Sequence, residues 1–142
     1  MTPTLLGRIQ TRIFLLGTVG LMWTILVVPV LPKRGATIGE TYAATILALI
    51  LVAVLGVGWE LVYHFFQQYR WEKDWPILLA LVVGIPESLL TFLAVDSIIL
   101  SGPSPVTFFL HFYSTWIIVW LVALGPIRVL LPRWRFNGGR IL

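Results

Sequence analysis

The stretch TYAATILALILVAVLGVGWELVYHFF, Thr41 to Phe66, decides the fold, because it contains no lysine or arginine and a single carboxylate, Glu60. A helix needs about 20 mostly apolar residues to cross the hydrocarbon core of a bilayer. Three further segments approach or exceed that length, namely Ile13 to Leu31, Pro76 to Leu100 and Val106 to Leu131. The sequence therefore predicts four transmembrane helices.

The composition independently indicates an integral membrane protein. Of the 142 residues, 58% are hydrophobic and 11% are charged, and the mean hydropathy is +0.94. A soluble domain of this size would need far more charged surface, because its surface is large relative to its volume. The chain has no cysteine, so disulfides, thiolate metal sites and cysteine nucleophiles are excluded.

Short connections link the predicted helices. They cover Pro32 to Glu40, Gln67 to Trp75 and Ser101 to Pro105, and none is long enough to form a soluble domain. Because short connections make consecutive helices antiparallel neighbours, we expect an all-α integral membrane protein built as an antiparallel bundle of four transmembrane helices. Residues 1–142 then form a single transmembrane domain in contact with the lipid bilayer.

The basic residues flank the apolar segments, and their distribution predicts the topology. With the N-terminus inside, that side holds eight lysines and arginines, whereas the other side holds only Lys33 and Arg34. The positive-inside rule therefore predicts that both termini are cytoplasmic. Topology and anionic lipid explain the formal net charge of +4, so nucleic-acid binding is not expected.

The C-terminal tail PRWRFNGGRIL, residues 132–142, combines aromatic and basic side chains. Segments of this kind lie on anionic membrane surfaces, so we expect the tail to rest on the inner leaflet. Indole rings prefer the membrane boundary, and Trp71, Trp75 and Trp134 are expected there. The lipid-facing basic anchor is predicted to consist of Arg128, Arg133, Arg135 and Arg140.

Glu60 and His64 lie near the end of the second predicted helix. Their spacing of four residues puts them on one helix face. One interpretation is that they mark the inner boundary of the membrane, where charge is tolerated. The alternative is that they form the inner part of a proton relay.

Glu87 lies on a stripe of small and polar residues in the third predicted helix. The stripe comprises Ala80, Gly84, Glu87, Thr91 and Ala94, a pattern that lets helix backbones approach closely. A rise of about 1.5 Å per residue puts Glu87 near the bilayer midplane, where an ionised carboxylate needs a partner or water. Glu87 is therefore either a functional site or a structural polar contact.

His111 is the second histidine, and it is flanked by Phe109, Phe112 and Tyr113 in the fourth predicted helix. A neutral ring nitrogen at this depth could bind the metal of a haem or a chlorophyll-type pigment. The alternative is a histidine that is hydrogen-bonded to a neighbouring helix. No other candidate metal ligand or cofactor signal is visible.

Three functions are compatible with these features. The sequence contains no known catalytic motif, so an enzyme is not expected. The preferred hypothesis is a small membrane subunit or scaffold that packs against other membrane protein subunits or against itself. The first alternative is a small proton-coupled carrier or proton-conducting protein centred on Glu87, with Glu60, His64 and His111 at graded depths. The second is a pigment-binding or haem-binding subunit that uses His111.

Overall fold

The computed structural model describes residues 4–69, 77–99 and 104–141, without the side chains of residues 77–79 and 135. Four helical stretches in these ranges are long and apolar enough to span a membrane, and they are called the first to fourth spans below: Leu5–Val30, Ile38–Gln68, Ala80–Ile98 and Pro105–Leu130. The predicted all-α membrane protein with an antiparallel four-helix bundle is therefore confirmed. Trp71 and Trp75 lie outside the described residues.

The spans are subdivided by local changes in helical geometry. In the first span, a π-helical turn at Leu16–Gly20 separates two α-helices, and a 3-10 turn follows at Val28–Val30. The third span is interrupted at Val83, three residues before Pro86, which cannot donate a backbone hydrogen bond. The α-helices are α1 Leu5–Leu15, α2 Leu21–Val27, α3 Ile38–Gln68, α4 Ile77–Val82, α5 Gly84–Ile98, α6 Pro105–Leu124, α7 Pro126–Leu130 and α8 Pro132–Phe136.

Side-chain caps fix where three of the spans begin. The Thr4 hydroxyl accepts from the backbone N–H of Gly7, so the first span begins at Leu5 and not at Ile13 as expected. Thr37 and Glu40 form a reciprocal capping box before the second span. Ser104 caps the fourth span, whose first residue is Pro105.

The spans form a closed bundle around an aromatic and aliphatic core. Consecutive spans contact each other, and the fourth also contacts the first. Phe108 and Phe112 stack at 5.9 Å between ring centroids, and Phe112 stacks on Trp116 at 5.7 Å. The buried core comprises Leu16, Ala48, Leu49, Val52, Val95, Phe108 and Phe112.

The first and last described residues, Thr4 and Ile141, lie at one end of the bundle, called the terminal end here, and the described part of the C-terminal tail packs against α1 there. The backbone N–H of Thr4 donates to the carbonyl of Gly138 at 2.9 Å, and the Thr11 hydroxyl donates to the carbonyl of Gly139 at 2.8 Å. A Cβ atom on Gly7 would lie only 2.2 Å from the Gly138 carbonyl oxygen. The tail is therefore held by the protein itself, and its contact with the inner leaflet stays a prediction.

The predicted basic anchor lies on this part of the chain. Arg128, Arg133 and Arg140 are exposed, as contact with lipid headgroups requires. The side chain of Arg135 lies outside the described part of the structure.

Candidate functional site

Four charged side chains from three spans meet at the terminal half of the bundle, and we call them the charged cluster: Arg8, Arg12, Glu60 and Glu87. Nη1 of Arg12 donates to Oε1 of Glu60 at 3.1 Å, and Nη2 of Arg12 donates to Oε2 of Glu87. Nε of Arg8 lies 2.7 Å from Oε2 of Glu60. Arg12 thus links the first, second and third spans.

The two carboxylates are shielded from solvent. Glu87 is 1% exposed and Glu60 is 8% exposed. Glu60 is therefore shielded by the protein and paired with two arginines, whereas its place at the inner boundary of the membrane stays a prediction. An enclosed carboxylate needs such partners, because a buried charge without one is strongly destabilising.

Gly56 makes room for the Arg12 side chain on the second span. A Cβ atom at Gly56 would lie 2.2 Å from Nε of Arg12. Gly56 is one helical turn before Glu60, so the space and the carboxylate occur on the same helix face. Cζ of Arg12 also lies 5.5 Å from the ring centroid of Trp116, close enough for a cation–π interaction.

Further polar side chains support the cluster. Nη1 of Arg8 donates to Oε1 of Gln67 at 3.1 Å. Tyr63 interacts with Glu87 and stacks on Trp59 with 5.8 Å between ring centroids. The second span thus contributes both an anion and the polar groups that surround the arginines.

The charged cluster lines a cavity of about 360 Å³, which falls in the size range of small-molecule sites. Its remaining walls are mainly apolar. Trp134 of the C-terminal tail closes part of the cavity, and its Nε1 donates to the Thr11 hydroxyl at 2.7 Å. The apolar lining comprises Leu16, Ala80, Val83, Trp116, Val119, Trp120, Ala123 and Trp134.

The stripe of small residues in the third span packs within the chain. A Cβ atom on Gly84 would lie 2.7 Å from Nε1 of Trp116, and that nitrogen donates to the carbonyl of Ala80 at 3.2 Å. Thr91 is also buried, and Ala94 is half-buried. At Ala80 and Gly84, the third span therefore closely approaches Trp116 of the fourth span.

The two histidines lie outside the charged cluster. His64 is half-buried, and no described residue forms a hydrogen bond with its Nδ1 atom. His111 is 2% exposed, and its Nε2 lies 2.8 Å from the Thr24 hydroxyl. Because that hydroxyl donates to the carbonyl of Gly20, its oxygen accepts from Nε2–H of His111.

This geometry agrees with the hydrogen-bonded alternative for His111. The cavity beside His111 has a volume of about 10 Å³, enough for no more than one water molecule. Within the described ranges, no group of three histidine, aspartate or glutamate side chains comes together as metal ligands.

Sequence reasoning identified the two carboxylates of the cluster but assigned its arginines to topology. A signal for Arg8 and Arg12 was present, because they share the four-residue spacing of one helix face. Two carboxylates predicted within apolar helices also require a positive partner.

The chain matches no protein-family model, no curated protein and no solved structure.

Proposed function

We propose that the protein is a small proton-coupled membrane carrier in which Glu87 binds the proton. The observation that carries this proposal is the Arg12 guanidinium, which bridges Glu60 and Glu87 at the wall of a cavity of about 360 Å³. Ionisable groups inside a membrane are rare, and they mark ion or substrate pathways.

Stability alone is a poor explanation for the cluster. Well-packed hydrophobic side chains often stabilise a fold as well as a buried ion pair does, because the charges must lose their hydration. Here two arginines and two carboxylates are retained in a bundle of apolar helices, and Gly56 leaves the space that Arg12 needs. A role in binding or transport accounts for this arrangement.

The ion pair between Arg12 and Glu87 can act as a switch. When Glu87 takes up a proton, its carboxyl loses the charge that holds Nη2 of Arg12. Among the described residues, Arg12 then keeps Glu60 as its anionic partner, and its freed donors can turn toward the cavity. Proton binding therefore changes both the charge and the shape of the site.

The proposed orientation has both termini in the cytoplasm. Arg8 and Arg12 form ion pairs, so they are left out when the eight basic residues of the terminal side are counted for the positive-inside rule. Six remain on that side, against Lys33 and Arg34 on the other, which still agrees with the positive-inside rule. The cavity, whose walls include Arg8 and Trp134, then lies toward the cytoplasm.

The subunit and pigment hypotheses receive less support from the geometry. Gly84, one member of the small-residue stripe that motivated a partner, packs against Trp116 inside the chain. The cavity of about 10 Å³ beside His111 is too small for a haem or a chlorophyll. Neither observation bears on the carrier proposal, which uses the larger cavity.

A substrate-independent test is the charge movement that follows a pH jump. Proteoliposomes adsorbed on a solid-supported membrane should give a transient current when Glu87 takes up a proton inside the protein. We expect Glu87→Gln to abolish the current and Asp96→Asn to retain it, since Asp96 is an exposed carboxylate on the same helix. No current from the wild-type protein, or an equal current from Glu87→Gln, would refute the proposal.

A further inference from the structure

We infer that the cavity binds an amphipathic organic monoanion, whose carboxylate contacts Arg12 while its apolar body lies among the tryptophans. This inference rests on the proposed function, in which Glu87 binds the proton that accompanies the anion. It names the substrate class, which the carrier proposal leaves open.

The charge balance of the cavity is the first argument. Among the described residues that line it, Arg8 and Arg12 carry the guanidinium groups, and Glu60 and Glu87 carry the carboxyl groups. With two carboxylates against two guanidinium groups, the net charge of the cluster is zero. A proton on Glu87 leaves one guanidinium in excess, and an unbalanced charge in this low-dielectric region is unfavourable.

A monoanion restores the balance, whereas a cation increases the excess. The proton and the anion together add no net charge to the cluster, so each favours binding of the other. An organic ammonium ion would have to compete with Arg12 for carboxylates that already have partners. The geometry thus favours coupled binding of a proton and an anion.

The chemistry of the cavity walls is the second argument. A guanidinium matches the planar geometry of a carboxylate and can bind both of its oxygens. The Arg12 guanidinium lies at the cavity wall, close to the Trp116 ring. Trp116, Trp120 and Trp134 supply extended apolar surface to the same cavity, so the ligand should carry an aromatic or branched aliphatic body beside its carboxylate.

The groups around Glu87 decide which side chain takes up the proton that accompanies the anion. The first span presents Arg12, and the second span presents Glu60 and Tyr63. The fourth span contributes Trp116 to the same cavity, and an indole does not titrate. His64 does not line the cavity in the described structure. Glu60 is paired with both Arg8 and Arg12, whereas Glu87 is paired with Arg12 alone, so Glu87 is the carboxyl expected to take up the proton.

Binding of matched probes to the protein in nanodiscs tests the inference. Isothermal titration calorimetry would compare 3-phenylpropionate, 2-phenylethylammonium and 3-phenylpropan-1-ol, with empty nanodiscs as the control for partition into lipid. We expect saturable binding of the anion with a Kd at least about tenfold lower than that of either other probe, because hydrogen bonds to charged groups are the stronger ones.

The pH dependence identifies the coupled proton. The Kd of 3-phenylpropionate should fall by at least about tenfold from pH 8 to pH 6, since uptake of one proton allows up to about tenfold per pH unit. Glu87→Gln should bind the anion with little pH dependence, because glutamine mimics the protonated carboxyl. Asp96→Asn and His64→Asn should keep the wild-type dependence.

If a variant fails to fold, a measurement on the wild-type protein alone still tests the inference. Titrations in buffers of different ionisation enthalpy should show uptake of one proton per anion bound. Tighter binding of the ammonium or the alcohol, no binding of the anion, or anion binding without proton uptake would overturn the inference. A Glu87-dependent pH-jump current in the same preparation would show that the carrier proposal survives that result.

Discussion

Replacing Arg12 with methionine should destabilise the bundle by much more than a change of side-chain shape would. Methionine occupies similar apolar space, but it leaves Glu87 without the guanidinium that neutralises it. Removing one partner of a buried ion pair costs about 3–5 kcal/mol. Glu60 keeps Arg8 at 2.7 Å, so most of this loss should arise at Glu87, which is 1% exposed.

The double variant Arg12→Met with Glu87→Met should recover most of the lost stability. Replacing both members of a buried ion pair with apolar side chains of similar volume is often neutral or stabilising. We therefore expect the double variant to lie within about 1.5 kcal/mol of the wild type. The coupling free energy between the two positions should then exceed about 1.5 kcal/mol, which is typical of residues in direct contact.

Unfolding in mixed micelles by titration with SDS, followed by tryptophan fluorescence, measures these free energies. The double variant also separates folding from function, because it should be stable and still give no pH-jump current. A loss below about 1 kcal/mol for Arg12→Met, which is no more than the average point mutation costs, would refute the reasoning. A double variant as unstable as Arg12→Met would refute it as well.

Two glycine substitutions test the close contacts around the site. Gly56→Ala should destabilise the bundle by about 2 kcal/mol, a typical cost of overpacking, because its Cβ would displace Arg12. A Cβ at Gly58 meets open space on the same helix. Gly58→Ala should therefore be neutral or slightly stabilising when both variants are unfolded with SDS. Gly7→Ala should release the C-terminal tail and speed tryptic cleavage there by at least about tenfold, since two or more hydrogen bonds of about 1 kcal/mol each are lost. Gly17→Ala, which also meets open space, should leave the cleavage rate unchanged, and equal rates for the two variants would contradict the tail contact.

The four spans could be predicted because their signal is local. Long apolar runs such as Thr41 to Phe66 indicate a membrane helix whatever surrounds them. The start of the first span was placed eight residues late, at Ile13 instead of Leu5, because the charges of Arg8 and Arg12 lower the hydropathy of its first turns. Those charges are neutralised by residues far away in the sequence.

The composition of the charged cluster could be predicted only in part. Glu87 was singled out by its position on a small-residue stripe, and its side chain is 1% exposed. Its partner Arg12 lies 75 residues away in sequence, and no local pattern specifies which helix faces meet. The role of Gly56 was also hidden, since a glycine inside an apolar helix does not reveal which side chain will lie across it.

On the proposed mechanism, the position of Arg12 links proton binding at Glu87 to the packing of the residues between the two cavities. Leu16 and Trp116 line both the large cavity and the small cavity beside His111, so they form the barrier between the two. Arg12 lies one helical turn before Leu16 and contacts the Trp116 ring. The π-helical turn begins at Leu16, and such turns often mark functional sites in helices. In its ion pair with Glu87, Arg12 touches Trp116 and shares a helix face with Leu16. On the proposed mechanism, loss of the Glu87 charge releases Arg12 from this position. Movement of this single side chain then changes how Leu16 and Trp116 pack between the two cavities.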